Sequence, residues 1–468
     1  MKRKWILSLA AVLSFGILAG CVPQKLPSDQ DQGGDGSQTV TEENVTFETY
    51  GSFWMRQHDY KTMPVGAYNS CPPQMSDYTY SYIANESTFE AYSEAGVNTM
   101  MGLREYAASE EVAQALDWCT EYGLAYLLPL AGAESFVSDS IAKSTLSRVK
   151  YHDAFAGIMQ SDEPGRTLFE KISASADILD SIMPEETTDV LWHVNLFPTY
   201  ANEMQLYYRQ YTDSSVPPEG GYTYDQYISD YMEICNPKVL SYDYYPCVGN
   251  SLRDGYFENM SIIREAASEA NIPFWVFIQT CSFGGGTRVP NEADILWQVN
   301  TALSYGAKGI QYFTGVLPSD GAETFTGAMF DRDGNRTEVY EYVKKANKQL
   351  TAADEVLMCS KSAGLIVTGL SPWGTDSKIP QSDLLTEYGV LKGVEGEHIL
   401  TGCFDYKGTP AYYVTNNSIG SGDEAKFTFS ENIKGYTVQN GEKAEFNGKT
   451  LSLTLQPGEG VLIVVNGD

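Results

Sequence analysis

The length and charge of the chain restrict its organisation and its partners. Its 468 residues are enough for one large domain and one smaller domain. The 61 acidic residues outnumber the 31 basic ones and give a net charge of −30. This charge opposes electrostatic binding to nucleic acid or to anionic lipid, so an uncharged ligand is the easier partner.

The N-terminal segment has the pattern of a secretion signal. Three basic residues at positions 2–4 precede an apolar stretch at 5–18, which is too short to span a bilayer comfortably. The sequence Leu18-Ala19-Gly20-Cys21 resembles the lipobox of bacterial lipoproteins. This resemblance implies that residues 1–20 are removed and that Cys21 is acylated, for example with palmitate. We therefore expect the protein to be held by lipid alone on the extracytoplasmic face of the cell membrane.

Residues 21–46 are predicted to form a disordered tether. They are rich in Gln, Ser, Asp, Gly and Pro and contain hardly an apolar side chain, as in the segment 28–36. Such a composition cannot bury enough apolar surface to offset the entropy lost on ordering.

The cysteines, histidines and glycines do not indicate a disulfide framework, a metal site or a nucleotide site. Seven cysteines remain besides Cys21 and none has CxxC spacing, so we interpret most of them as small buried hydrophobic residues. The run 284–286 of three glycines lacks the Lys-Ser/Thr of a phosphate loop and predicts a loop instead. The run 331–335 lacks the full spacing of a calcium loop and predicts a turn. No cofactor and no metal are expected.

Between residues 47 and 351 the sequence predicts a (β/α)₈ TIM barrel, an α/β fold. Short apolar runs alternate with segments of helical periodicity, about 35 residues per unit. Eight runs can be counted, and eight is the number that a closed barrel requires. The runs are Pro64–Tyr68, Asn98–Gly102, Ala125–Leu130, Ala156–Gln160, Val190–Val194, Val239–Tyr242, Phe274–Ile278 and Gly309–Phe313. Helices are predicted at 167–182 and 293–304, and the long segment 197–226 is expected to overhang the site.

Residues 352–468 predict a smaller all-β sandwich. Apolar runs of four to seven residues alternate there with turn sequences such as Asp405-Tyr406-Lys407-Gly408 and Asn440-Gly441. Packing and rigidity are the expected roles of this domain.

Functional side chains of such a barrel lie at the carboxyl ends of its strands. The polar residues just past or near the end of each run are therefore the candidates. They are Asn69, Arg104, Glu105, Glu134, Asp162, Glu163, His193, Asn195, Asp243, Tyr244, Tyr245, Gln279, Gln311 and Tyr312. A mouth rich in carboxylates suits glycosidic cleavage, which needs one acid to protonate the departing oxygen and a second carboxylate at the sugar carbon. The 32 tyrosines would suit sugar stacking, although core packing accounts for most of them.

Three motifs resemble those of clan A glycoside hydrolases. Gly157 to Pro164 ends in Ser-Asp-Glu-Pro and is similar to the fourth-strand Asn-Glu-Pro motif that carries the general acid/base, a role that the resemblance gives to Glu163. Leu240 to Pro246 resembles the sixth-strand motif, and Gly306 to Phe313 with Phe330 to Asn335 is similar to the eighth strand and its loop in beta-galactosidase-like members. The resemblance covers roughly residues 60–350. It implies a carbohydrate substrate.

The chain departs from this pattern at the seventh strand. The nucleophile of the clan is a Glu at the end of that strand, and Gln279 stands about there, although an amide cannot act as the nucleophile. Two hypotheses follow. Either Asp243, with Glu105 or Glu134 as weaker candidates, completes a catalytic pair with Glu163, or the barrel binds glycans without cleaving them. The predicted substrate contacts are Glu105, Asp162, His193, Asn195, Tyr245, Gln279 and Tyr312.

Simpler structural roles compete with these assignments. Glu163 could be an acid that stabilises a helix start, and Asp243 could be the buried partner of an amide or an arginine.

Overall fold

The structure, a computed structural model, describes most of the chain beyond residue 57. The described ranges are 58–68, 86–102, 110–129, 139–147, 149–183, 190–209, 218–318, 320–321, 323–369 and 379–466. They belong to one compact unit. The predictions for Cys21, Asn69, Arg104, Glu105 and Glu134, and those for the signal segment and the tether, lie outside these ranges.

Eight parallel strands close into a barrel. They are β1 Val65–Tyr68, β2 Thr99–Met101, β3 Ala125–Pro129, β4 Phe155–Asp162, β5 Leu191–Leu196, β6 Leu240–Asp243, β7 Phe274–Gln279 and β8 Gly309–Phe313. Each strand pairs with the next, and β8 pairs back with β1. The strands fall on the eight apolar runs, so the predicted (β/α)₈ architecture is confirmed.

Helices follow every strand and cover the barrel. They are α1 Glu86–Glu94, α2 Glu110–Glu121, α3 Asp139–Leu146, α4 Phe169–Ile182, α5 Glu203–Tyr208, α6 Tyr224–Cys235, α7 Tyr256–Glu269, α8 Glu292–Tyr305 and α9 Glu338–Thr351. Local sequence fixes several helix ends: Thr223 and Asn291 form capping boxes at the starts of α6 and α8. Gly306, with φ 93°, ends α8 in the left-handed conformation that a residue without a Cβ adopts most easily.

The C-terminal domain is an antiparallel sheet that follows the short helix α10, Asp354–Met358. Its strands are β9 Ser360–Thr368, β10 Leu391–Glu395, β11 Ile399–Tyr406, β12 Thr409–Asn416, β13 Asp423–Gln439, β14 Glu442–Leu455 and β15 Gly460–Val465. The first half of β13 pairs with β10 and its second half with β15, across an irregularity between Thr428 and Ile433. One face of this sheet carries its own apolar cluster, which includes Phe427 and Ile463, whereas residues such as Leu462 belong to the core shared with the barrel. The predicted all-β domain is confirmed, and β10 is a strand that the sequence did not predict.

Helix α8 joins the two domains. Every residue from Asp294 to Tyr305 is buried, because the barrel covers one side of the helix and the C-terminal sheet the other. Its polar side chains bond across this boundary: the Trp297 indole nitrogen donates to Asn417 Oδ1 at 2.7 Å, and Asn300 Nδ2 donates to the Gly458 carbonyl at 2.8 Å. The barrel and the sheet therefore share one continuous interior.

None of the helices in the described ranges combines the length and the apolar character needed to cross a membrane.

Candidate active site

A cavity of about 230 Å³ opens at the carboxyl ends of the barrel strands. Typical ligand pockets have volumes of roughly 300–1,000 Å³, so this one suits a small group such as a single sugar ring. Its lining residues are Tyr68, Asp162, Glu163, Asn195, Tyr200, Asp243, Tyr245, Phe277, Phe283, Phe313 and Glu323. Carboxylates and aromatic rings make up most of this lining.

A second cavity, of about 320 Å³, lies at the opposite end of the strands, against the C-terminal sheet. Arg264 donates there to both Asp383 and Ser362, and Lys308 donates to the carbonyls of Leu357 and Ser360. These groups mainly hold the two domains together, so the smaller cavity at the strand ends is the better candidate for an active site.

Glu163 has a constrained backbone directly after β4. Its φ of 47° lies in the left-handed region, which is uncommon for residues other than glycine and is concentrated at functional sites. The Glu163 N–H donates to the Asn195 carbonyl at 2.8 Å, and Tyr227 donates to the carbonyl of Pro164 at 2.8 Å. A Cβ on Gly165 would come within 2.4 Å of the Arg209 nitrogen, so only glycine fits there. These contacts fix the direction in which the carboxyl group points.

The pKa values of Glu163 and Asp243 are both raised above their usual range. Burial, followed by the negative charges of Asp243 and Asp162, raises the pKa of Glu163, and Arg209 offsets part of this effect. Burial, followed by the charge of Asp162, raises the pKa of Asp243. Because Tyr245 and Asn195 donate hydrogen bonds that offset part of this rise, Asp243 ionises at a lower pH than Glu163. Of the two groups, Glu163 therefore retains its proton to the higher pH, and Asp243 is the first to ionise.

A chain of hydrogen bonds crosses the barrel beneath the cavity. Gln311 Nε2 donates to Ser241 Oγ at 2.8 Å, and Ser241 Oγ donates to Asn195 Oδ1 at 3.2 Å. Asn195 Nδ2 then donates to Asp162 Oδ1 at 3.2 Å. This chain orients the Asn195 amide with its donor side toward the carboxylates.

His193 lies below the cavity and does not line it. It is 1% exposed, and its ring centroid is 6.1 Å from that of Trp275. Burial lowers the pKa of His193 to about 4, so the imidazole is neutral in the barrel interior.

Gln279 is fully buried, and its side chain forms hydrogen bonds with backbone groups of neighbouring loops. Its Oε1 accepts the N–H of Cys247 at 3.0 Å, and its Nε2 donates to the carbonyls of Cys281 at 3.1 Å and Arg288 at 2.9 Å. The described part of β7 presents Phe277 to the cavity and no carboxylate. Gln279, the residue at which the sequence departs from the clan A pattern, therefore has a structural role.

Tyr312 points away from the barrel interior. Its hydroxyl donates to Asn347 Oδ1 on α9 at 2.6 Å, whereas its neighbour Gln311 faces inward. Side chains alternate along a strand, so only one of these two neighbours can reach the interior. Of the predicted site residues, the structure brings Asp162, Glu163, Asn195, Asp243 and Tyr245 together at the cavity.

Aromatic rings form one wall of the cavity. Tyr245 packs against Phe283 and Phe313 at centroid distances of 5.0 and 5.2 Å, and Tyr68 packs against Phe313 at 5.8 Å. Rings at the edge of such a cluster offer apolar faces on which a sugar ring can stack.

Six lining residues are not among the candidates predicted from the sequence, namely Tyr68, Tyr200, Phe277, Phe283, Phe313 and Glu323. Tyr200 lies in the long segment after β5 that the sequence predicts to overhang the site, and Arg253 covers its ring at 4.1 Å. Glu323 lies ten residues past the end of β8, so a prediction that considers only residues at the ends of strands does not include it.

The described residues contain no group of three or more His, Cys, Asp or Glu side chains that could hold a metal ion. The run 331–335 is a turn, as predicted: Asp331 Oδ1 accepts the N–H groups of Asp333 and Asn335 at 2.9 and 2.8 Å.

Solved structures to which the chain is similar in fold include several glycoside hydrolases. The chain is similar to a beta-galactosidase from Bacillus circulans sp. alkalophilus, with a TM-score of 0.57, 9% identity and coverage of 88% of this chain and 100% of the other. It is also similar to a GH42 beta-galactosidase from G. stearothermophilus, with a TM-score of 0.52, 9% identity and coverage of 81% and 95%. A third, from Rahnella sp. R3, has a TM-score of 0.50, 10% identity and coverage of 88% and 100%. The chain has a clan A glycoside hydrolase-like fold.

These similarities concern the fold alone, because the sequence identities are so low. The chain spans 63% of the length of the beta-galactosidase from the psychrophilic Marinomonas ef1. Neither a protein-family model nor a curated protein sequence matches it. Glu163 directly follows β4, and Gln279 is the last residue of β7.

The raised pKa of Glu163 predicts that Glu163→Gln stabilises the protein at neutral pH. The unfolded chain ionises this carboxyl near pH 4.3, whereas the folded protein retains the proton, so the stability of the native protein falls as the pH rises above that value. Glutamine has no proton to lose. We expect the variant to gain at least about 1 kcal/mol at pH 7, equivalent to a Tm increase of about 2 °C, and little at pH 4. Thermal unfolding at both pH values measures this, and an equal Tm difference at both would contradict the assignment.

Proposed function

We propose that this protein is an extracytoplasmic, lipid-anchored glycoside hydrolase that acts on oligosaccharide or polysaccharide. Glu163 is the proton donor and Asp243 is the second carboxylate. One observation carries the proposal: two carboxyl groups whose pKa values are raised by burial and neighbouring charge face the same cavity at the carboxyl ends of the strands. Perturbed titratable groups in a cleft are a physical sign of acid/base chemistry.

The two groups perform complementary tasks. Protonated Glu163 donates its proton to the glycosidic oxygen as the bond to the sugar carbon breaks. Ionised Asp243, held by Tyr245 and Asn195, stabilises the positive charge that develops on the sugar ring. The remaining negative charge of the lining disfavours anionic sugars.

The aromatic wall and the small cavity favour a neutral sugar as the bound unit. Because three of the fold neighbours are beta-galactosidases, β-galactosides are the first substrates to test.

A screen of full-length protein, purified in detergent, on aryl glycosides and on plant and host oligosaccharides tests the proposed activity. We expect release of a monosaccharide from at least one neutral substrate. Absence of turnover on all substrates, with sugars still bound, would replace this proposal by its alternative.

That alternative is a non-catalytic glycan-binding lipoprotein that uses the same cavity. The buried, hydrogen-bonded Gln279 favours it, because β7 supplies no described carboxylate to the cavity. Titration calorimetry of the native protein with the screened oligosaccharides would then give binding without hydrolysis.

The anchor is supported by the sequence around Cys21 alone. We expect Cys21→Ala to move the protein from the membrane fraction into the soluble fraction, because acylation requires the thiol. Fractionation of expressing cells with labelled palmitate measures this, with Cys235→Ala as the matched control. Labelling of the Cys21→Ala variant equal to that of the native protein would contradict acylation at Cys21.

A further inference from the structure

We infer that Glu323 is the base that activates the attacking water, and that hydrolysis therefore inverts the configuration at the anomeric carbon. This inference rests on the proposed hydrolase function and adds a third carboxylate to it. Glu323 lies in the loop after β8 and lines the same cavity as Glu163 and Asp243.

The positions of the strands place Glu323 across the cavity from the acid. Glu323 lies in the loop after β8 and against Gly284 in the loop after β7, and in the ring of eight strands these are four and three strands from β4, which precedes Glu163. Asp243, on β6, is only two strands from Glu163. Neighbouring strands are about 4.8 Å apart, so we expect Glu163 and Glu323 to be farther apart than Glu163 and Asp243. A wide separation, roughly 6.5–9.5 Å between carboxyl groups, leaves room for the water that inversion requires.

Contacts on both sides hold Glu323 at the rim. Its carboxylate lies over Gly284, where an added Cβ would come within 2.7 Å of Glu323 Oε1. Just after Glu323, residues 326–327 pair as a short antiparallel strand with residues 281–282. Just before it, Asp320 accepts from Arg332 at 2.7 Å and from the Phe325 N–H at 2.9 Å. The loop is therefore braced against its neighbours.

The surroundings of Glu323 and Asp243 differ in the way that their tasks require. Asp243 is 4% exposed, and the hydrogen bonds from Tyr245 and Asn195 offset part of the rise in its pKa that burial causes, so it is suited to a fixed anion that solvent does not reach. The Glu323 side chain is exposed to solvent, so a water molecule can reach it from outside. Glu323 also adds to the negative charge that keeps the proton on Glu163. Gln279, by contrast, is committed to backbone groups and has no basic oxygen to spare.

The reaction balances as a single displacement. Glu163 gives its proton to the glycosidic oxygen, and the bond between that oxygen and the anomeric carbon breaks with its electron pair going to the oxygen. A water oxygen attacks the opposite face of the same carbon, and its proton passes to Glu323. Glu323 then returns a proton to solvent, and Glu163 takes one up.

Proton NMR of the first product tests the outcome directly. Full-length protein in detergent is mixed with a substrate from the screen, and the anomeric signals are followed before mutarotation equilibrates them. We expect the first hemiacetal to have the configuration opposite to that of the substrate. A first product of retained configuration would overturn the inference and leave the proposed hydrolase function intact.

Variants at two positions separate a chemical role from a structural one. Glu323→Gln is expected to lower kcat by about 10²–10⁴-fold, the usual contribution of a general base, and Glu341→Gln on the exposed face of α9 is the matched control. Azide, which needs no base, should restore turnover of Glu323→Gln with an activated aryl glycoside and yield the glycosyl azide of inverted configuration. Gly284→Ala keeps the carboxylate but displaces it, so a smaller loss of about tenfold is expected.

The possible results are distinguishable. An unchanged kcat in Glu323→Gln, or a loss of kcat that azide does not restore, would overturn the role of Glu323. Activity that still depends on Glu163 would then support the proposed hydrolase function. Absence of hydrolysis by the native protein on every substrate would overturn both.

Discussion

Glu163→Gln is expected to lower kcat by about 10²–10⁴-fold on substrates whose leaving group is another sugar. An alcohol leaves poorly unless its oxygen is protonated as the bond breaks, and the amide cannot supply that proton. A dinitrophenyl leaving group needs no proton, so its release should be nearly unaffected. The loss should therefore increase with the pKa of the leaving group.

Kinetics on a series of aryl glycosides, together with an oligosaccharide, measure this dependence. Glu233→Gln, an exposed carboxylate on α6, is the matched control. A loss of the same size for all leaving groups would indicate that Glu163 contributes to binding or structure rather than to protonation. The basic limb of the pH profile, which reports the acid, should also disappear in Glu163→Gln and persist in the control.

Gln279→Glu is expected to destabilise the protein by about 3 kcal/mol or more instead of restoring a nucleophile. The substitution removes the amide that donates to the carbonyls of Cys281 and Arg288 and places a carboxylate oxygen against them. It also buries a charge in a site that is 0% exposed. Unpaired acceptors and an unpaired charge both favour the unfolded chain.

Urea unfolding of Gln279→Glu measures this loss, with Gln381→Glu as an exposed control. Preserved stability accompanied by a gain in hydrolysis would mean instead that Gln279 occupies a vacant nucleophile position. Preserved stability without any gain would show that water enters the site and satisfies the carboxylate.

The barrel was predictable because each strand is a short apolar run bounded by polar or glycine residues, as at Phe274 to Gln279. The count of eight such runs then constrained the topology. Strand β10, Leu391–Glu395, escaped prediction because its Leu-Lys-Gly-Val-Glu sequence mixes charge and glycine. Its pairing with β13 comes from tertiary contact rather than from local pattern.

The candidate site was predictable only in part. Glu163 and Asp243 follow from strand position, since Glu163 directly follows β4 and Asp243 is the last residue of β6. The criterion of strand position also selected Tyr312, because it takes no account of the alternation of side chains along a strand. This alternation turns the Tyr312 side chain toward α9. The position of Glu323 in the cavity depends on the path of the loop after β8 over the mouth of the barrel. No local periodicity in the sequence indicates that path.

Helix α8 has a consequence for how this chain can be divided and recombined. A carbohydrate-binding domain joined by an open linker can be exchanged between enzymes, because little of its surface depends on its neighbour. Here Trp297 and Asn300 belong to the barrel by sequence, yet Asn417 and Gly458 of the sheet satisfy their polar atoms. A barrel grafted from this protein without its sheet would carry an exposed face of unmatched donors and apolar side chains. The unit that can be transferred is therefore the barrel and the sheet together.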